Sequence, residues 1–274
     1  MTDQDSVRAI HNLFLAFRKK YRHIWEEYSL FKFYEPYIHK AIKSGDFPPF
    51  EFSPFLSNLT DVRNAGREKS MSVLGQVSKN AISNRVLLDA IGAFEDLLGK
   101  VATIIYLDFP GKLQGSDSQS EATELKLGRL IVESSSREEM LARMAEEKVR
   151  SVFYGNPVNI FKKDSARLGI PKNSFDSFSN LLLEYTEITA RRNIIVHNSG
   201  RVDRKYIRES EPSSYKLGQI AIIDQAYLRR ALCILEGIAS VTLEAVIRSN
   251  YNSGLKGKLA ESLKSLKLGV GSAV

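Results

Sequence analysis

Cysteine is almost missing from this chain. Cys233 stands alone among 274 residues, so no intramolecular disulfide and no cysteine-based zinc site can form. That usage suits a reducing compartment, and the expected location is the cytoplasm. Histidine is scarce too, at four residues. His11, His23 and His39 fall 12 and 16 positions apart with no accompanying carboxylate pattern, which makes them ordinary helix histidines rather than metal ligands. No apolar run approaches the roughly 18 residues that a membrane span needs. The acidic opening Met1-Thr2-Asp3-Gln4-Asp5 carries no signal-type apolar core. Glycine-rich phosphate loops, zinc spacings and serine-hydrolase elbows are all absent. No metal and no cofactor is expected.

What is present is helical periodicity and positive charge. Apolar residues make up 43% of the chain, an ordinary share for a packed protein. The formal net charge is +7, with a pI near 9.3, which suits a polyanionic partner. Val7, Ile10, Phe14, Phe17, Tyr21, Ile24, Tyr28 and Phe31 recur mostly three or four apart and predict one long helix over 6–43. Pro36 should kink or divide it. Prolines 48, 49 and 54, interleaved with Phe47, Phe50, Phe52 and Phe55, predict a breaker segment pinned onto a helical surface.

Further helices are expected over 70–108, 121–133, 137–153, 174–197 and about 224–250, with Ser174 and Asp224 as N-caps. A short helix should begin near Pro157. Gly200 is placed where a left-handed helix terminator is wanted. Ile220-Ala221-Ile222 could form a short strand. Cys233 is expected to be an inert core residue. The expected fold is all-α, divided into an N-terminal helical extension (1–70), a helical domain (71–252) and a basic tail (253–274).

The densest chemistry lies at Arg191-Arg192-Asn193-Ile194-Ile195-Val196-His197-Asn198-Ser199-Gly200. Arg191, Arg192, Arg201, Arg204, Lys205 and Arg208 fall within 18 positions and are opposed only by Asp203. A histidine moves protons near neutral pH, and an arginine stabilises a phosphorane by charge-assisted hydrogen bonds. Asparagine can orient the imidazole or contact a phosphate oxygen. Asn193 and His197 are i,i+4 and share a helix face, whereas Arg192 and His197 lie about 140° apart. Arg191 suits an i,i+4 pair with Glu187 or phosphate binding. The blander reading of His197 is a C-terminal helix cap, and that of the later cations is a solvated face.

Arg192-Asn193-x-x-x-His197 resembles the Arg-x4-6-His signature of the HEPN superfamily, the higher eukaryote and prokaryote nucleotide-binding proteins. Residues 192–207 are similar to the extended motif of bacterial HEPN proteins of the RiboL-PSP and abortive-infection type. Leu217-Gly218-Gln219-Ile220 through Tyr227-Leu228 resembles their C-terminal block. Ala93-Phe94-Glu95-Asp96-Leu97-Leu98 resembles their first core helix. The resemblance spans about 80–250. It implies an HEPN-like helical bundle that forms a homodimer with its motifs face to face. It also implies metal-independent RNA cleavage by 2′-OH attack, as in toxin–antitoxin and antiviral defence systems, leaving 2′,3′-cyclic phosphate ends. Arg192, Asn193 and His197 take the catalytic positions. Arg191, Asn198, Arg201, Arg204, Lys205 and Arg208 are expected to bind RNA, and Glu95 to be an acidic partner. An antitoxin or other defence protein would be the further partner. The alternative is a non-catalytic RNA- or nucleotide-binding scaffold.

Overall fold

The computed structural model describes residues 2–46, 50–52, 63–113, 133–152, 157–210 and 215–271. The chain is all-α in class. Helix α1 (Asp3–Ser44) opens at Thr2, whose hydroxyl accepts from the Asp5 N–H while the Asp5 side chain reaches back. It ends at Gly45, left-handed at φ 87. Pro36 lies inside it and does not divide it. Two three-residue strands follow, β1 (Phe50–Phe52) and β2 (Arg63–Ala65), paired antiparallel with Glu51 opposite Asn64. The proline–phenylalanine segment was expected on a helical surface. Its described part forms this ladder, and the rest lies outside the described residues.

Helix α2 (Arg67–Gln76) runs through a π-helical turn (Val77–Ala81) into α3 (Ile82–Asp108). α1 lies antiparallel along this whole length. The Tyr21 hydroxyl donates to the Ala90 carbonyl at 2.9 Å, Lys32 to Ser78 at 3.2 Å, and Gly45 sits beside Arg67. Helix α4 (Arg137–Val152) packs across α3, with Val149 close against Gly99. Most of the helix expected over 121–133 lies outside the described residues. After the single-turn α5 (Asn159–Lys162) the chain reaches α6 (Ser179–Asn198), α7 (Arg204–Glu209), α8 (Gln225–Tyr251) and α9 (Gly257–Gly271).

Sequence expectations for one helix start and for both ends of the chain need correction. The motif helix starts at Ser179 rather than Ser174, because Phe175 and Phe178 turn inward and Asp176–Phe178 takes a 3-10 turn first. Residues 1–44 are not an appendage. Ile10, Phe14, Phe17, Tyr21, Ile24 and Tyr28 belong to the same core as α3 and α8. The region after 253 is likewise more than a tail, since α9 buries Leu259 and Leu263 and sets Leu266 against Gly237. The missing Cβ of Gly237 is what lets α9 come so close to α8.

α8 is the central post. It is apolar around most of its girth and buries 16 residues, so it must be enclosed by α3, α6, α1 and α9. Asp224 caps its N-terminus, accepting from the Tyr227 N–H at 2.7 Å. Cys233, expected in the core, is exposed, because the inward stripe runs through Ala231, Ile234, Leu235 and Ile238. Each large side chain fully buried here contributes about 1.5–3 kcal/mol. Polar ties complete the frame: Arg18 to Glu236 at 3.0 Å and Tyr251 to Asp108 at 2.7 Å. Among the described residues, no helix is long and apolar enough to cross a membrane.

Candidate nucleic-acid interface

The motif lies in the last two turns of α6, and Arg191 anchors that segment. Arg191 is buried, with 4% of its surface exposed. Its Nε donates to Glu187 Oε1 at 2.7 Å, its Nη1 to the Ile222 carbonyl at 2.8 Å and its Nη2 to the Tyr206 hydroxyl at 2.9 Å. The guanidinium also lies 4.3 Å from the ring centre of Tyr227, 5.1 Å from Tyr215 and 5.8 Å from Tyr206. Glu187 accepts from the Tyr206 hydroxyl at 2.6 Å and the Tyr227 hydroxyl at 2.7 Å. Arg191 therefore leaves the set of RNA-facing residues. The Glu187 pairing foreseen from the i,i+4 spacing is present, and phosphate binding is ruled out by burial.

This network explains three pKa directions. Burial pushes the Tyr206 and Tyr227 phenols above their ordinary value, and the adjacent Glu187 carboxylate adds to the effect. Burial alone would depress Arg191, but the surrounding Tyr227, Glu187 and Tyr206 outweigh it and hold the guanidinium charged.

Beneath the motif sits a small second core of Ala190, Ile194, Val202, Tyr206 and Ala221. It fixes α7 and residues 217–223 against α6. The Ser199 and Gly200 N–H groups both reach back to the Ile194 carbonyl, and both residues are left-handed, at φ 51 and 76. Gly200 was the expected left-handed terminator, yet Ser199 enters that conformation first. Residues 200–202 then pair with 218–221. The Val202 N–H donates to the Gln219 carbonyl at 2.8 Å, and the Ala221 N–H to the Gly200 carbonyl at 3.0 Å. The strand expected over 220–222 is reduced to a single bridge, Arg201 opposite Ile220.

Arg192 points another way. It is half-buried, donates weakly to the Asn193 side-chain oxygen at 3.3 Å, and places its charge near Glu95 on α3. Burial raises the Glu95 carboxyl and Arg192 pulls it back down. Tyr185, fully buried beside both, is packed edge-on against Phe94 at 5.6 Å. Its hydroxyl has no hydrogen-bond partner among the described residues. Burial, with Glu95 adding to it, lifts the Tyr185 phenol well above its ordinary range. The structure thus brings Glu95 and Arg192 together and adds Tyr185, which sequence reasoning missed.

His197 is exposed at the end of α6, beside exposed Val196. Asn198, half-buried, spends its amide on the Arg201 carbonyl at 2.7 Å and so closes the turn rather than facing outward. Arg201 is exposed and reaches the Gly218 carbonyl at 3.4 Å. Asp203 caps α7 by accepting from the Tyr206 N–H at 2.7 Å. Arg204, Lys205 and Arg208 face solvent, with Lys205 only 3.9 Å from Glu209. Tyr206, with Ile207 packed beside it, thereby leaves Arg204, Lys205 and Arg208 as the outward cationic face of a six-residue helix. Tyr206, Tyr215 and Tyr227 were also missed by sequence reasoning. The available signal was that a buried arginine needs aromatic and anionic company.

Among the described residues, no group of histidine, cysteine, aspartate and glutamate side chains could hold a metal ion. No protein-family model, no curated protein and no solved structure matches the chain.

Proposed function

We propose that the chain is an HEPN-type endoribonuclease of the defence or toxin kind, cleaving RNA without a metal. His197 removes the 2′-hydroxyl proton as the O2′–P bond forms. Its imidazolium returns a proton to the 5′-oxygen as the P–O5′ bond breaks, leaving a 2′,3′-cyclic phosphate. Arg192 stabilises the phosphorane and Asn193 positions it. Arg201, Arg204, Lys205 and Arg208 hold the RNA backbone. The observation that carries this reading is the juxtaposition of exposed His197 with that exposed cationic face, both fixed by the buried Arg191 network.

Arg192 and His197 lie about 140° apart on α6, so one copy does not aim both at one phosphate. A two-fold homodimer, with Arg192 of one copy near His197 of the other, supplies the missing geometry. Such a toxin would work in the cytoplasm, restrained by an antitoxin or a defence partner.

The test is purified protein with total RNA and with tRNA in EDTA, followed by end-group analysis. Cleavage should leave cyclic phosphate ends, and His197→Ala should lower its rate by about 10²–10⁴ while RNA binding persists. Full activity in His197→Ala, or a Mg²⁺ requirement with 3′-OH ends, refutes the proposal. A second reading, a non-catalytic RNA-binding scaffold, draws support from the Arg192 charge already acting on Glu95, whose carboxyl it holds down against burial. It requires RNA that is bound and stays intact.

A further inference from the structure

Past Tyr28, α1 contributes nothing more to the core. Residues 29–44 lie along α2 and the π turn, neither of which buries a single residue. Among the described residues, the two helices form an arm with no fully buried side chain of its own. Its outer face is nevertheless apolar. Leu30, Phe33 and Tyr37 are each 62% exposed and Tyr34 is 51% exposed. They stand at i, i+3, i+7 and i+4, one stripe on one helix face. The three rings cluster on each other, with centroids 5.1 to 6.4 Å apart. Contiguous exposed apolar side chains of this size mark a contact surface.

Opposite charges bound the stripe. One turn before Leu30 stand Glu26 and Glu27, both exposed, with Glu27 3.2 Å from His23 of the same helix. One turn after Tyr37 stands exposed Lys40. This order is self-complementary when two copies run antiparallel. Leu30 then meets Tyr37, Phe33 meets Tyr34, and the Glu26–Glu27 turn meets Lys40 at both ends. A parallel arrangement would set like charge on like charge. A nucleic acid would need cations along the whole stripe, and its acidic end opposes that.

We infer that this face of α1 binds a second copy of the chain in an antiparallel, two-fold contact. The contact would bury the outer half of α1, whose apolar stripe finds no cover within its own arm. The surface is separate from the RNA site. Lys32 is level with Ser78, and Glu95 lies 17 residues further along the same rod, about 25 Å at helical rise. The inference therefore stands apart from the RNA reading.

Charge reversal tests it on the full-length protein. The double variant Glu26→Lys with Glu27→Lys places like charges at both ends of its own dimer, and so does Lys40→Glu. Each alone should dimerise about tenfold more weakly by sedimentation equilibrium, two exposed pairs having turned from attractive to repulsive. An equimolar mixture restores opposite charges at both ends and should form heterodimers with wild-type affinity. Tyr37→Glu, with unchanged circular dichroism, should lose this contact and assemble no further than a dimer joined through the α6 face. A wild-type chain still monomeric at about 100 µM overturns the inference. So does a dimer indifferent to all three variants, a mixture no tighter than its parts, or a Tyr37→Glu that loses RNA affinity while dimerisation is unchanged.

Discussion

Arg191 and Arg192 are neighbours with opposite fates. One is enclosed by a carboxylate, a carbonyl and three tyrosines, while the other stands half-exposed near Glu95. Arg191→Met leaves Glu187 without its cation in a largely buried setting and should cost about 3–5 kcal/mol in urea unfolding. Changing Arg204, Lys205 or Arg208 to Gln should move stability by less than about 0.5 kcal/mol. Under the RNA reading, each should instead lower the salt slope of single-strand binding by about 0.7. A stable Arg191→Met would show that the network adds nothing to folding. The Glu95 carboxyl gives a sharper probe. Arg192 offsets part of the rise that burial imposes, so Arg192→Gln should push Glu95 further up, read from the carboxyl carbon resonance. A titration that does not move would place the Arg192 charge elsewhere.

Among the helices, deletion of residues 1–44 is the informative truncation. It would strip Phe14, Tyr21 and Tyr28 from the shared core, so the remainder should lose near-ultraviolet circular dichroism and bind a hydrophobic dye. A cooperative melt of that fragment would restore the idea of an appendage. The helices at 82–108 and 225–251 were legible because long 3.6-residue patterns leave few alternatives, and Asp224 caps the second. What α1 packs against was not legible, since Val7 through Phe31 keep one period whether the partner is core or solvent. The 3-10 entry to α6 was hidden because Ser174 is as good a local cap as any. Within the site, His197 and the α7 cations were readable as charge on a helix end. The burial of Arg191 was not, because Tyr206, Tyr215 and Tyr227 reach it from 15 to 36 residues away through tertiary packing.

Buried phenols tie the parts into one pH-sensitive unit. Tyr21 joins α1 to α3, Tyr106 joins α3 to the loop carbonyl of Ala166, and Tyr185 lies beneath the motif. Tyr206 and Tyr227 close the Arg191 network, and Tyr251 holds Asp108. Burial is the first cause that raises each of the six above its ordinary value of 10.0. The sign follows from linkage. The folded state keeps these protons, whereas the unfolded chain gives them up near pH 10, so the unfolded state binds fewer protons at high pH. Stability from this source is fully present below pH 10 and is lost as pH climbs toward the raised folded values. The unfolding free energy should fall by about 1.4 kcal/mol per pH unit for each phenol ionised only after unfolding. Phenolate absorbance of the buried set should therefore appear together with the loss of helical circular dichroism, in one alkaline transition. Tyr206→Phe should shift that transition to higher pH relative to neutral-pH stability, because one linked proton is gone. Stepwise ionisation of these tyrosines in a chain that stays helical would mean that the network, and with it the fixed placement of the cationic face, is looser than the packing of α6, α7 and α8 requires.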